Sequence, residues 1–263
     1  MNVLDEIVAN KRIEIEAAKK AKPLDLLKTE VAGLKKQKRP FAQLFASAEG
    51  VLVAEIKPKS PSEGQLIAGS PLDVADLYAK SSADVVSVLT DEKYFGGTIE
   101  LLNNVRARVP QAVLRKDFIV DEYQIYETAL SGADAFLLIA AILDSEKLAN
   151  LIRLGDSLGL GMLLEVHDEE DLKKSIASHN SVFGINNRDL KTLKTDIAVT
   201  EELMKQIPAG TACISESGIE TADDVRRVRA LGVKGILVGT SILQSADPLA
   251  KIAELKAALI ALL

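Results

Sequence analysis

Eight short apolar runs separated by helix-like stretches constrain this chain more than any other feature. The runs are Val51–Ile56, Val85–Leu89, Ala112–Leu114, Ala135–Ile139, Met162–Leu164, Val182–Ile185, Ala212–Ile214 and Gly235–Val238. The stretches that follow them are rich in Ala, Leu, Lys and Glu: Leu72–Lys80, Ile99–Ala107, Glu122–Leu130, Glu146–Leu158, Glu169–Ile176, Glu201–Gln206, Ala222–Ala230 and Leu249–Leu262. Such alternation predicts parallel βαβ units. Eight of them in 263 residues predict a (β/α)8 barrel. The rival is a doubly wound open sheet, which usually carries a glycine-rich nucleotide loop after its first strand. Neither GxGxxG nor GxxxxGK occurs here.

Local signals agree with that beat. Asp121, Asp144, Asp168 and Thr221 stand where helix N-caps belong. "LSGAD", "LGLG" and "ALGVKG" place glycine just past helical stretches. Ahead of the first strand, Leu4, Ile7, Val8 and Ile15 recur near helical spacing, and a second short helix is expected over residues 24–34. The expected organisation is one barrel domain over residues 1–263, of which 1–48 is an N-terminal helical extension.

Charge and cysteine content narrow the ligand classes. With 32 basic and 38 acidic residues the net charge is −6, so there is no general attraction for nucleic acid or anionic membrane. An anionic ligand must be held by a local cluster of donors. The single cysteine, Cys213, excludes internal disulfides and suits a reducing, cytoplasmic setting. The first twenty residues carry acids throughout and lack an apolar secretory core. The longest apolar run, residues 135–143, is too short to span a bilayer.

Strand side chains alternate faces. If Val51, Val53, Glu55 and Lys57 point into the barrel, the inner face of the first strand turns from apolar to ionised at its C-terminal end. The same switch recurs at Lys116, Glu165, Asn186 and Glu216. Any one of these fits an ordinary strand end emerging into solvent. Five together at one barrel mouth form a cluster suited to acid–base chemistry. "SESGI" (215–219) and "LVGTSI" (237–242) follow the seventh and eighth strands, where barrels commonly bind phosphate through backbone N–H groups. Gly218 and Gly239 would admit an anion closely, with Ser217, Thr240 and Ser241 adding hydroxyls. Phe95 and Phe118 fall in mouth loops, where they suit a flat aromatic ligand. The pair Gly96–Gly97 reads as a turn or as a lid hinge. Three features read as structural: His167 as a helix-start residue, Cys213 as facing the helices, and "KQKRP" (36–40) as a solvated face.

At these residues the chain resembles the indole-3-glycerol-phosphate synthase family. "EIKPKSPSEG", "SVLTDEKYFGGT", "LRKDFIVDEYQI", "GADAFLLI", "LLEVHD", "GINNRDL", "SESGI" and "LVGTSIL" occur in the family's order over nearly the whole length. The resemblance implies a TIM-barrel carboxy-lyase of tryptophan biosynthesis that uses neither metal nor organic cofactor. Its substrate would be 1-(2-carboxyphenylamino)-1-deoxyribulose 5-phosphate, a phosphorylated small molecule, with no nucleic-acid or membrane partner. A monomer is expected, with a dimer as the alternative. Lys116 matches the general acid for ring closure and Glu165 the general base. Lys57 matches the lysine that meets the substrate carboxylate and assists dehydration. Glu55, Asn186, Arg188, Glu216 and Ser217 match the polar ring that orients these groups. Ser60, Gly218, Gly239 and Thr240 match phosphate-side positions, and Phe95, Phe118, Leu137 and Leu190 the benzoate pocket. Two positions depart from the expected forms: Glu63 stands where lysine is usual and Thr240 where serine is usual. Glu63 is expected to point away from the anion site. The alternatives are a Schiff-base aldolase using Lys57 or Lys116, and a non-catalytic phosphate-ligand barrel. Phosphoribosylanthranilate isomerase fits less well, because its Cys/Asp pair has no visible counterpart.

Overall fold

The computed structural model describes residues 3–34, 41–176, 182–189 and 192–261. "KQKRP", His179 and Leu190 lie outside the described residues. Eight parallel strands close into a barrel, each paired with the next in sequence and the last with the first. They are β1 (Val51–Ile56), β2 (Val85–Leu89), β3 (Ala112–Lys116), β4 (Ala135–Ile139), β5 (Gly161–Val166), β6 (Val182–Asn186), β7 (Ala212–Glu216) and β8 (Gly235–Val238). Four run further than their apolar runs predict, β6 by the one residue Asn186. β3, β5 and β7 continue through Lys116, Glu165 and Glu216, because neighbouring strands supply ladder partners such as Leu89 for Lys116 and Asn186 for Glu216. Pairing, and not side-chain polarity, sets where these strands end.

Three helices precede the barrel: α1 (Val3–Ala21), α2 (Leu24–Ala32) and α3 (Phe41–Ser47). Eight more alternate with the strands: α4 (Pro71–Tyr78), α6 (Ile99–Arg106), α7 (Glu122–Ser131), α8 (Ser145–Leu158), α9 (Glu169–Ile176), α10 (Ala198–Met204), α11 (Ala222–Ala230) and α13 (Pro248–Ile260). Two short ones, α5 (Glu92–Phe95) and α12 (Thr240–Leu243), sit in the loops after β2 and β8. The expected caps form. Asp121 and Thr221 make capping boxes with Gln124 and Asp224, and Asp144 accepts from the Lys147 N–H. Among the described residues no helix is long and apolar enough to cross a membrane.

The alternation of strand side chains divides the interior into two layers. Leu52, Ala54, Ile56, Val86, Val88 and Val113 face the helices in one buried cluster. Val51, Val53, Val85, Leu114, Leu163, Val182, Ile214 and Leu237 fill the barrel itself. Cys213 lies with Leu203 among the helix-facing residues, as its parity predicts. Fully burying each aliphatic side chain contributes on the order of 1.5–3 kcal/mol, so the two layers supply most of the driving force for closure. Phe41 and Phe45 of α3 pack edge to face, with centroids 5.3 Å apart, and lie against Gly161 and Gly235 at the starts of β5 and β8. They stopper the N-terminal end. The opposite end stays open, and the chemistry-bearing side chains collect there.

Candidate active site

The odd-numbered strands deliver Glu55, Lys116, Glu165 and Glu216 to the open end, each two residues beyond an apolar inward residue (Val53, Leu114, Leu163, Ile214). Barrel interiors are built in layers of four side chains from alternate strands. Here the topmost of those layers is ionic. Lys116 Nζ lies 3.2 Å from Glu165 Oε2 and 3.4 Å from Glu216 Oε2. Asn186 Nδ2 donates to the other Glu165 oxygen at 3.0 Å. Lys57 Nζ stands 3.4 Å from Glu55 Oε1 and donates to Thr240 Oγ1 at 3.2 Å. These residues line a cavity of about 510 Å³, within the usual range for small-molecule sites.

Burial and charge act against each other in this ring. Burial opposes the Lys116 ammonium, but Glu165, Glu216 and Glu55 outweigh it and hold the group well above the ordinary lysine range. Burial opposes ionisation of Glu165 too, yet Lys116, His167 and Asn186 keep its carboxyl well below the usual range. Glu216 goes the other way. Burial, with Glu165 and Glu55 nearby, pushes it up to about 8 despite Lys116. Lys116 therefore lies between one carboxyl whose surroundings favour the ionised form and one whose surroundings favour the protonated form. The room for Glu216 comes from β6. A Cβ at Gly184 would sit 2.0 Å from Glu216 Oε1, so only glycine leaves that carboxyl its place.

At the far end of the cavity Ser60, Ser217, Gly218, Gly239 and Thr240 come together. Ser217 and Gly218 both adopt left-handed backbone, with φ of 64° and 75°. For serine that conformation is strained. Asn187 Nδ2 holds it by donating to the Ser217 carbonyl at 2.9 Å. Gly239 is fixed by crowding, since a Cβ there would lie 2.7 Å from Glu55 Oε1. Arg188 joins this end, its backbone N–H donating to Asn186 Oδ1 at 3.0 Å. One expectation fails here. Glu63 points into the cavity, not away from it: its Oε2 accepts from Thr240 Oγ1 at 3.0 Å and from Ser60 Oγ at 3.1 Å. Lys57 and Arg188 are the nearby charges, at 3.8 and 3.6 Å. Although burial opposes it, Lys57, Thr240 and Arg188 together lower the Glu63 pKa.

The third side of the cavity is apolar. Phe95 and Phe118 pack with ring centroids 5.9 Å apart, and Leu137 lies beside them. Sequence reasoning missed the rest of this wall, which Val3, Leu4 and Ile7 of α1 provide. Leu4 and Ile7 show in sequence only as a helix face; nothing local says that the face meets the mouth. Lys11 docks the same helix. Its Nζ lies 3.0 Å from Asp91 and 3.1 Å from Asp117, all three side chains nearly dry. Arg115 adds a second cation 2.9 Å from Asp117, and the pair of cations holds that carboxyl down at about 2 against the effect of burial. Asp117 is the residue after Lys116, so α1 is anchored directly behind the ammonium.

His167 also departs from expectation. It is no simple helix-start residue, for Asp168 fills that role by accepting from the Asp171 N–H at 2.9 Å. His167 Nε2 lies 3.1 Å from Glu165 Oε1, and Nδ1 3.5 Å from Asp171 Oδ2. A protonated imidazole is thus held between two carboxylates. The signal was present in the sequence: 163, 165 and 167 share parity, and His167 continues the inward face of β5. Burial opposes its protonation, but Asp171 and Glu165 outweigh burial and push its pKa up to about 10 from 6.5. A raised folded-state pKa adds stability that is full below pH 6.5 and lost as pH rises toward 10. His167→Gln should thus cost roughly 1–3 kcal/mol at pH 6 and much less at pH 10, measured by urea unfolding. An equal deficit at both pH values would show that the imidazolium charge contributes nothing.

Comparison with known proteins places this geometry. The family model described as indole-3-glycerol phosphate synthase matches residues 4–255. A protein of that name from Albidiferax ferrireducens is 42% identical over 258 residues, covering 97% of this chain and 98% of the relative. Another from Ruminiclostridium cellulolyticum is 40% identical over 257 residues, covering 97% and 98%. Among solved structures, 3-hexulose-6-phosphate synthase from Salmonella typhimurium superposes with a TM-score of 0.65 at 14% identity, over 80% of this chain and 98% of that one, a likeness of fold. With a full-length family match and relatives at this identity, the chain belongs to the indole-3-glycerol phosphate synthase family.

Proposed function

We propose that the ionic layer at the barrel mouth performs this family's reaction: indole ring closure of 1-(2-carboxyphenylamino)-1-deoxyribulose 5-phosphate, with loss of CO₂ and water. The observation that supports it most is the Lys116 ammonium held between Glu165 and Glu216, with a second ammonium, Lys57, on the same rim. A ring carbon attacks the ketone, and an alkoxide develops on the former carbonyl oxygen. Lys116 stabilises that charge and gives it a proton. Departure of CO₂ from the carboxylate-bearing carbon restores aromaticity. Lys57 meets the carboxylate until it departs; dehydration then needs an acid, which Lys57 supplies to the leaving hydroxyl, and a base for the last proton, which is Glu165. Glu55, Asn186, Arg188, Glu216 and Ser217 orient these groups.

In this reading the sugar phosphate lies at Ser60, Gly218, Gly239 and Thr240, and the benzoate ring between Phe95, Phe118 and Leu137. Fixing both ends brings the reacting carbons together and replaces a diffusional search with a bound near-attack arrangement. The test is stoichiometric. Incubation with the synthetic substrate should yield one indole fluorophore and one CO₂ per substrate consumed. Consumption without CO₂ release, or no product at all, would refute the assignment.

A further inference from the structure

The donors at the anion end of the cavity are engaged by a carboxylate that the chain itself supplies. Glu63 occupies the tip of a short antiparallel hairpin in which Lys59 and Ser60 pair with Gln65 and Gly64. From there its carboxylate reaches Thr240 at the start of α12, Ser60 on the opposite strand of the same hairpin, and the cations Lys57 and Arg188. A hydroxyl carries one proton. The protons of Ser60 and Thr240 that go to Glu63 Oε2 are not there for another anion. Two negative groups a few ångströms apart also repel each other. Glu63 and a bound phosphate group therefore exclude one another from these donors. The hairpin is free to yield: Pro61 to Gln65 are exposed, and a Cβ at Gly64 would meet nothing within 4 Å. Moving the tip sacrifices no core packing.

We propose that Glu63 is a built-in competitor for the phosphate-binding donors. In the unliganded protein its carboxylate takes the anion's place, and an incoming phosphate monoester must expel it. This weakens phosphate affinity and couples ligand entry to displacement of the exposed tip, residues 61–65, while buried Ser60 stays in place as a donor. The proposal rests on the phosphate end assigned above, so its test is binding and not turnover. Inorganic phosphate is titrated calorimetrically into the full-length protein and into Glu63→Gln at pH 7.5 and fixed ionic strength, with thermal unfolding to confirm that both are folded. Glu63→Gln should bind phosphate at least tenfold more tightly than the parent, and Glu63→Ala, which removes the acceptor as well as the charge, at least as tightly again. Equal affinity in the parent and both variants overturns the proposal while leaving the phosphate site standing. Weaker binding in the variants overturns it as well, because Glu63 would then be organising the site. If neither protein binds phosphate, the anion end itself is wrongly assigned and the proposal falls with it.

Discussion

Lys116→Met should lower turnover by about 10²–10⁴-fold, the range for losing a general acid, and more if its electrostatic contribution is also lost. Indole fluorescence from the synthetic substrate reads the effect directly. The same variant should be destabilised in a pH-dependent way. Glu165 is nearly dry, with Lys116 at 3.2 Å and His167 at 3.1 Å. Removing one partner of a buried pair typically costs 3–5 kcal/mol, because the other charge stays behind. The parent Glu165 has a folded-state pKa well below 4.5, so it contributes stability that is full above pH 4.5 and lost as pH falls through that lowered value. Without the ammonium that pKa moves up and the contribution is lost, so the deficit of Lys116→Met should be fullest near neutral pH and shrink progressively on acidification toward and below pH 4.5, by urea unfolding. A deficit that does not shrink on acidification would refute the ion-pair account, and retained turnover would refute the acid role.

Gly97→Ala should destabilise the fold by steric overlap alone. A Cβ at Gly97 would lie 1.9 Å from the Leu89 carbonyl oxygen and 2.5 Å from its carbon. Both are backbone atoms at the end of β2, so no rotamer change relieves the overlap. The loop must instead give up the Gly97 N–H bond to the Asp91 carbonyl, 3.0 Å long, and lift the turn that carries Phe95. Overpacking of this kind costs about 1–3 kcal/mol or more. At roughly 2–4 °C per kcal/mol for a chain of this size, the melting temperature should fall by several degrees. A variant melting within a degree of the parent would mean that the turn adjusts freely. The geometry answers the turn-or-hinge question for this pair of glycines. Gly96 is the left-handed cap of α5, with φ 70°, and Gly97 is wedged against β2. Neither serves as a loose joint.

The barrel was legible because strand parity and helix caps are local signals that survive without tertiary information. Glu55, Lys116, Glu165, Asn186 and Glu216 were readable for the same reason, each closing an inward-facing series. What was not legible depends on chain segments that meet only after folding. Glu63 shows the limit: a carboxylate in an exposed hairpin is expected to face water, and only the approach of Arg188 and Thr240 from distant loops turns it inward. Lys11 shows it again, since its two aspartate partners lie some 80 and 106 residues along the chain. His167 differs from both. Its inward direction followed from the alternation already used for Glu165, but the run of acids after it drew attention to helix capping instead.

The Val3–Ile7 stretch divides the cavity wall between two parts of the chain. The ionic layer comes wholly from the repeating strands, while part of the face toward Phe95 and Phe118 is lent by a helix that belongs to no repeat. Substitutions confined to Val3, Leu4 and Ile7 would reshape that face while leaving the Lys11 anchor and the ionic quartet in place. Grafting the leading helices of one relative onto the body of another would transfer selectivity without transferring chemistry.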